Sequence, residues 1–143
     1  MAENTGIGWE AARIKHLELV QAVVSRMAAN SFWLKGWSVT LVAAIVALAA
    51  KDADPRFALL AVVPVLIFWL LDAYFLRQER MYRKLYDHVR LHRSEEVDFS
   101  LDATRFAGQV QGLGGVMFSV TLCWFYAGLL AVSAVVAAAI SGR

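Results

Sequence analysis

At 143 residues, 59% hydrophobic and 18% charged, with a mean hydropathy of +0.54, the chain is more apolar than a small water-soluble domain, which is about half apolar and a quarter charged. One cysteine excludes an intramolecular disulfide framework, two prolines and nine glycines exclude collagen-like and proline-rich chains, and a formal charge of +2 is too small to mark a nucleic-acid binder. The surplus apolar surface must face lipid, and the pattern predicts an all-α membrane protein: one helical membrane domain over 1–143 with three transmembrane helices.

In residues 9–30 the apolar side chains Ile14, Leu17, Val20, Val24 and Met27 recur at three- and four-residue steps among Arg13, Lys15, Glu18 and Arg26, the period of an amphipathic helix. No proline or glycine separates this helix from the apolar run beginning at Ser31. It either runs on into the first span, bends at Asn30-Ser31, or lies on an anionic membrane surface. Residues 31–50 (SFWLKGWSVTLVAAIVALAA) and 57–76 (FALLAVVPVLIFWLLDAYFL) each approach the ~20 residues that cross a ~30 Å hydrocarbon layer as a helix. Lys51 to Arg56 (KDADPR) is a short polar connection with proline near its end, which suits a helical hairpin. Ala47-Leu48-Ala49 matches an A-x-A cleavage pattern, but about thirty mostly polar residues precede the apolar run, unlike a signal peptide.

The second span continues without a breaker to about Arg93, with Leu71, Tyr74, Gln78, Tyr82, Leu85, Val89 and His92 as its predicted stripe. Because the hairpin makes the first two spans antiparallel, their extensions emerge side by side and can bury these stripes against each other. Within residues 77–115, Ser94 to Asp98 is a polar break and Ser100 is a candidate N-cap of a short helix. Gly108, Gly112, Gly114 and Gly115 then form an elbow, Gly108 and Gly112 also making a G-x-x-x-G pair that permits close helix approach. Residues 116–140 carry no charge and form the third predicted span, about 37 Å at ~1.5 Å per residue.

Orientation is read from Lys and Arg. Residues 1–35 carry four and residues 77–115 seven, against Lys51, Arg56 and Arg143 in the hairpin and C-terminus. Eleven against three places the N-terminus and the central segment in the cytoplasm and the C-terminus outside.

Several residues carry candidate chemistry. Lys35 and Asp72 lie near the same ends of neighbouring antiparallel spans, where they either pair or snorkel separately to headgroups. Trp33, Trp37, Trp69, Tyr74 and Phe75 read as interfacial anchors. In the third span Trp124, Phe125 and Tyr126 lie too deep for a belt, so at least one packs on another helix. Ser119, Tyr126 and Ser133 recur every seven residues with Cys123 and Ala137 beside them, a smaller and more polar face suited to a subunit seam or a narrow pore. Arg77, Arg80, Arg83, Lys84, Arg90 and Arg93 offer a surface to a cytosolic partner or signal. His88 and His92 stand at i and i+4, a spacing that can share a metal, with Asp87, Glu95 and Glu96 nearby, though a third fixed ligand is not specified. No phosphate-binding glycine loop, H-E-x-x-H, G-x-S-x-G or paired membrane carboxylate is present, and no internal repeat suggests a transporter. No enzyme and no cofactor are expected.

Two resemblances add to this. Arg83 to His88 satisfies R-x-x-x-x-H and so resembles the active-site motif of HEPN ribonucleases, although Lys84 stands where that family usually has a polar residue. Ala29-Asn30-Ser31-Phe32-Trp33-Leu34 resembles the A-N-S-F-x-L entry of small prokaryotic RipA-type membrane proteins, and Tyr82, Leu85 and Tyr86 continue the likeness, which covers roughly residues 13–93. The resemblance implies an octameric inner-membrane protein, and the similarly built pore accessory of some Cas13-type CRISPR systems implies an antiviral membrane effector. A third span departs from that two-span pattern. The expected function is a homo-oligomeric membrane protein, a pore-forming or membrane-perturbing effector gated through its cytoplasmic helices. A non-conducting scaffold or regulatory subunit anchoring a soluble partner is the alternative. Expected partners are the bilayer, further copies of the chain and a cytosolic protein, with no specific nucleic acid.

Overall fold

The structure, a computed structural model, describes residues 2–52, 55–92 and 98–142. Arg93, and with it most of the predicted break at Ser94 to Asp98, lies outside the described residues. Those described form helices α1 (Ala2–Asp52), α2 (Pro55–Leu60), α3 (Val62–Leu91), α4 (Leu113–Met117) and α5 (Val120–Ser141), with a 3-10 helix at Thr104–Gln109 and no strand.

Helix α1 is continuous through Asn30-Ser31. Ser31 does not compete for its local backbone there, because its hydroxyl is committed to Asp72 on α3. The second apolar stretch, in contrast, is divided at Ala61. Pro64 supplies the reason: it has no N–H, and its ring needs the space of the carbonyl four residues earlier, that of Leu60, where α2 ends. The third stretch begins later than its apolar run. Ser119 is extended (φ −62°, ψ 147°) and separates α4 from α5, and its carbonyl accepts the Cys123 N–H at 2.9 Å to open α5. Two helices, the apolar run within 8–51 and α5, are thus long and apolar enough to cross a membrane.

Helices α1 and α3 pack antiparallel along most of their length, and two cores result. One joins Val42 of α1 to Ala61, Val65, Trp69 and Ala73, and to Val116, Leu122 and Tyr126 of α4 and α5. The other joins Val20 to Met81, Leu85 and Val89, closed by Ala103 and Phe106. The buried stripe of α3 therefore passes through Val65, Trp69, Asp72, Ala73, Glu79, Met81, Leu85 and Val89. Leu71, Tyr74 and His92, predicted on it, face outward, because the helix must turn one face to α1 and α5 together. On α1, Ile14 is likewise 56% exposed, and His16 is buried instead.

Residues 98–112 form a strap over the second core. Asp98 accepts the Ser100 N–H, the Ser100 hydroxyl accepts the Asp102 N–H, and Asp102 accepts the Thr104 N–H, at 3.1, 3.1 and 2.8 Å. These linked side-chain turns use Ser100 as a turn residue, and the 3-10 helix starts after Ala103 with no side-chain cap. Phe99 holds φ +52°, the left-handed region that side chains rarely adopt. Its ring lies edge-on to His16 (5.6 Å) and near Trp9 (6.5 Å), contacts that repay the backbone cost. Gly108 and Gly112 meet open space, so no helix approaches over their G-x-x-x-G pair.

Candidate functional site

Between the two cores sits a polar knot centred on Asp72, whose side chain is fully buried. Helix α1 reaches it with residues one turn apart, Ser31 and Lys35. Ser31 donates its hydroxyl to Asp72 Oδ1. Lys35 Nζ donates to Asp72 Oδ2 at 2.5 Å and to the Ser31 hydroxyl at 2.8 Å. Helix α5 adds Tyr126, whose hydroxyl donates to Asp72 Oδ2 at 3.1 Å, with the Phe68 carbonyl also in range at 3.3 Å. Three side-chain donors from two helices thus converge on one carboxylate of a third. Burying that charge without them would cost several kcal/mol, on the order of the effective desolvation penalty of a single ion. The Lys35 ammonium also lies 5.9 Å from the Phe125 ring centre, a cation–π contact.

Trp69 braces the knot. Its ring stacks on Tyr126 (5.8 Å, 14°) and meets Phe118 edge-on. Its Nε1–H donates to the Met117 carbonyl at 2.8 Å, satisfying an acceptor at the end of α4. Trp69 is therefore a core residue and not an interfacial anchor, whereas Trp33 and Trp37 are each 63% exposed.

The face expected to form a seam or pore lies largely inside the chain. Tyr126 and Ser133 are buried, Tyr126 on Asp72 and Ser133 returning its hydroxyl to the Leu129 carbonyl at 3.0 Å. Ser119 and Cys123 are half-buried beside them. The heptad spacing picks out one face, but that face meets α2, α3 and α1 of the same chain, where Asp72 offers Tyr126 a partner. Trp124, on the opposite side, is 78% exposed.

The polar lobe, formed by the first half of α1, the second half of α3 and the strap, holds the remaining candidates. Arg77 and Arg80 bond the carbonyl and side chain of Gln111 on the strap. Arg83 turns back one helical turn to Glu79, at 2.7 Å, and Arg90 lies 3.4 Å from Asp87. Lys84 has no ion-pair partner among the described residues. Arg83 and His88 do not converge, since five residues along a helix rotate by about 140°. His88 instead packs on His92 (4.2 Å) and Phe106 (5.6 Å), and the His92 Nδ1 lies 2.8 Å from the His88 carbonyl. Among the described residues no third His, Cys, Asp or Glu joins these two in a metal-holding group.

Two lobe residues carry structural roles that sequence spacing did not single out. Arg13 reaches across to the end of α3, where Nη2 donates to the Arg90 carbonyl at 2.6 Å and Nε to that of Val89 at 3.3 Å, closing carbonyls that a helix C-terminus leaves open. His16 is buried with Nε2 lacking a partner among the described residues. Loss of hydration holds its pKa below the ordinary 6.5; Asp98 pulls it upward and Arg105 downward. His16 stands four residues before Val20 and eight before Val24, so the stripe's own period reaches it, but its polar ring hides it among the apolar positions, and the role of Arg13 is revealed only by its tertiary contacts. Comparison with protein-family models, with curated proteins and with solved structures finds no match to this chain.

Proposed function

We propose that this chain is a homo-oligomeric protein of the bacterial inner membrane whose cytoplasmic lobe takes up a signal or a soluble partner and whose spans respond by altering membrane permeability. Three membrane passages, through α1, through α2 with the first half of α3, and through α5, put the arginine-rich lobe in the cytoplasm and the C-terminus outside, in keeping with the Lys and Arg distribution. The observation that carries the reading is the Asp72 knot. It joins all three passages at the foot of the lobe, so a displacement of α1 or α3 in the lobe is felt by α5.

Self-assembly draws support from surfaces other than the serine face. Gly36, Thr40, Ala43, Ala47 and Ala50 are exposed along α1, and Ala127, Ala131, Ala134 and Ala138 along α5. Small residues let helices approach closely in lipid, where packing rather than hydrophobicity drives association. The resemblance to RipA-type proteins is consistent with an assembly of this kind. A non-conducting scaffold that anchors a soluble partner is the second reading, and the inward turn of Tyr126 and Ser133 favours it, because it withdraws the polar stripe from any shared pathway.

Light scattering in several mild detergents is expected to give a defined oligomer, and a monomer throughout refutes self-assembly. Ion or dye release from liposomes carrying the protein, with and without cytosolic extract, separates the readings. Release in either condition supports the effector, and intact liposomes in both transfer the conclusion to the scaffold.

A further inference from the structure

The lobe contains a cleft of about 460 Å³ between the last two turns of α3 and the 3-10 helix of the strap, lined by Lys84, His88, Arg90, His92, Phe106 and Gln109. Its volume falls within the ~300–1,000 Å³ of small-molecule sites. The chemistry of the wall is specific in kind. Two long cations stand six residues apart on α3, His88 lies between them with its ring tilted against that of His92 at the end of the helix (4.2 Å, 34°), and an amide faces them from the strap. Phe106, itself buried, forms the apolar floor and packs on His88. Asp87 also reaches the cleft, but Arg90 lies against it at 3.4 Å, and Lys84 has no carboxylate partner among the described residues. The cleft continues along α3 into a second hollow of about 310 Å³, lined by Arg80 and Arg83 and sharing Lys84 and Gln109. Over that whole length the cations are Arg80, Arg83, Lys84 and Arg90, and among the described residues that line it or pair with them the carboxylates are Glu79, bonded to Arg83, and Asp87. The groove therefore has a surplus of positive charge, directional donors and an aromatic floor, the complement of a phosphate group joined to a compact organic body.

We propose that this cleft binds a soluble, phosphate-bearing small molecule, with Lys84 and Arg90 holding the phosphate and Phe106 with the histidine pair supporting the remainder. A free ligand rather than a lipid headgroup is favoured by position. Lys84 lies twelve residues beyond Asp72 on α3, about 18 Å along the helix axis, and Arg90 about 27 Å, whereas the headgroup layer adds only about 5–8 Å to each side of the hydrocarbon. The site spans α3 and the strap, so occupancy ties together two of the elements that form the second core.

The inference does not depend on the permeability reading: binding is measured on purified protein, and liposome release can fail while binding succeeds. Inorganic pyrophosphate is titrated calorimetrically into the full chain in nanodiscs of neutral lipid at low ionic strength. A saturable single site is expected. K84A/R90A, both exposed surface changes, is expected to weaken it at least about tenfold, the loss of one charge-assisted hydrogen bond, and K15A, outside the cleft, leaves it unchanged. Nanodiscs rich in phosphatidylglycerol are expected to give the same affinity. The proposal is overturned by absence of saturable binding up to about 10 mM, by equal weakening in K15A, by K84A/R90A binding as the parent does, by competition from the anionic lipid, or by binding of a long single-stranded RNA where pyrophosphate does not bind.

Discussion

The Asp72 knot makes an unequal pair of demands on its two charges, and mutation of each in turn tests it. The Asp72 side chain is fully buried, whereas that of Lys35 is 24% exposed. In D72N the new amide presents one acceptor oxygen to three donors, and the Lys35 ammonium loses its counter-charge but can still extend toward water or headgroups. Breaking a buried pair costs about 3–5 kcal/mol in proteins, while polar pairs in membrane helices average about 0.6 and reach about 1.7 kcal/mol. With one partner partly solvated, about 2 kcal/mol is expected for D72N, roughly a thirtyfold shift in the unfolding equilibrium. K35M leaves the carboxylate buried with only Ser31 and Tyr126 to answer it, and is expected to cost about 3 kcal/mol or more. K35M/D72L, which removes both charges, is expected to recover to within about 1 kcal/mol of the parent, since apolar replacement of a buried pair is often neutral. Reversible unfolding in mixed micelles, followed by helical circular dichroism, measures all three. D72N costing as much as K35M, both falling below about 0.5 kcal/mol, or a double variant no better than the singles would show that the knot does not hold the helices as argued.

Two more outcomes rest on particular contacts. W69F keeps most of the stack on Tyr126 but deletes the donor to the Met117 carbonyl; a lost hydrogen bond of about 1.4 kcal/mol is expected to speed thiol labelling of Cys123, the sole cysteine, about tenfold, and an unchanged rate would refute the brace. Acidification is expected to loosen the strap through His16, whose folded pKa is lowered by burial: the unfolded chain takes up the proton first, so stability is complete above about pH 6.5 and falls as pH drops below that value. H16F, which keeps a ring against Phe99, is expected to flatten the decline between pH 7 and 5. Asp98 and Asp102, lowered respectively by the Ser100 backbone N–H and by the Thr104 hydroxyl, lose their contribution only as pH falls through and below the ordinary carboxyl value of 3.8, a separate window. A decline that persists unaltered in H16F would remove His16 from the account.

Much of the architecture is written in local pattern, and the remainder in pairings that no local pattern encodes. Helix content comes from period and from the near absence of breakers, and the Lys35–Asp72 pair comes from the hairpin, because a short connection fixes which residues of the two helices lie level. The same reasoning stops at α5. The residue that Tyr126 meets depends on how a helix docks 54 positions away in sequence, and a stripe spaced for burial reads alike whether it faces its own chain or another copy. Trp69 misleads for a related reason: a tryptophan near a membrane boundary suits a belt, and only the nearby Met117 carbonyl and Tyr126 ring make it interior. Element boundaries depend on single residues, Pro64 and Ser119, whose influence reaches one turn away from where the apolar count changes.

The unbroken course of α1 has a mechanical consequence. Pinned near Lys35, it is a lever with arms of unequal length: about 33 Å from Arg13 to the pin and about 25 Å from the pin to Asp52, at ~1.5 Å per residue. A rocking of about ten degrees carries the Arg13 end by about 6 Å one way and the Asp52 end by about 4 Å the other. With no hinge to absorb it, any push on one end of the rod is delivered to the other with its direction reversed.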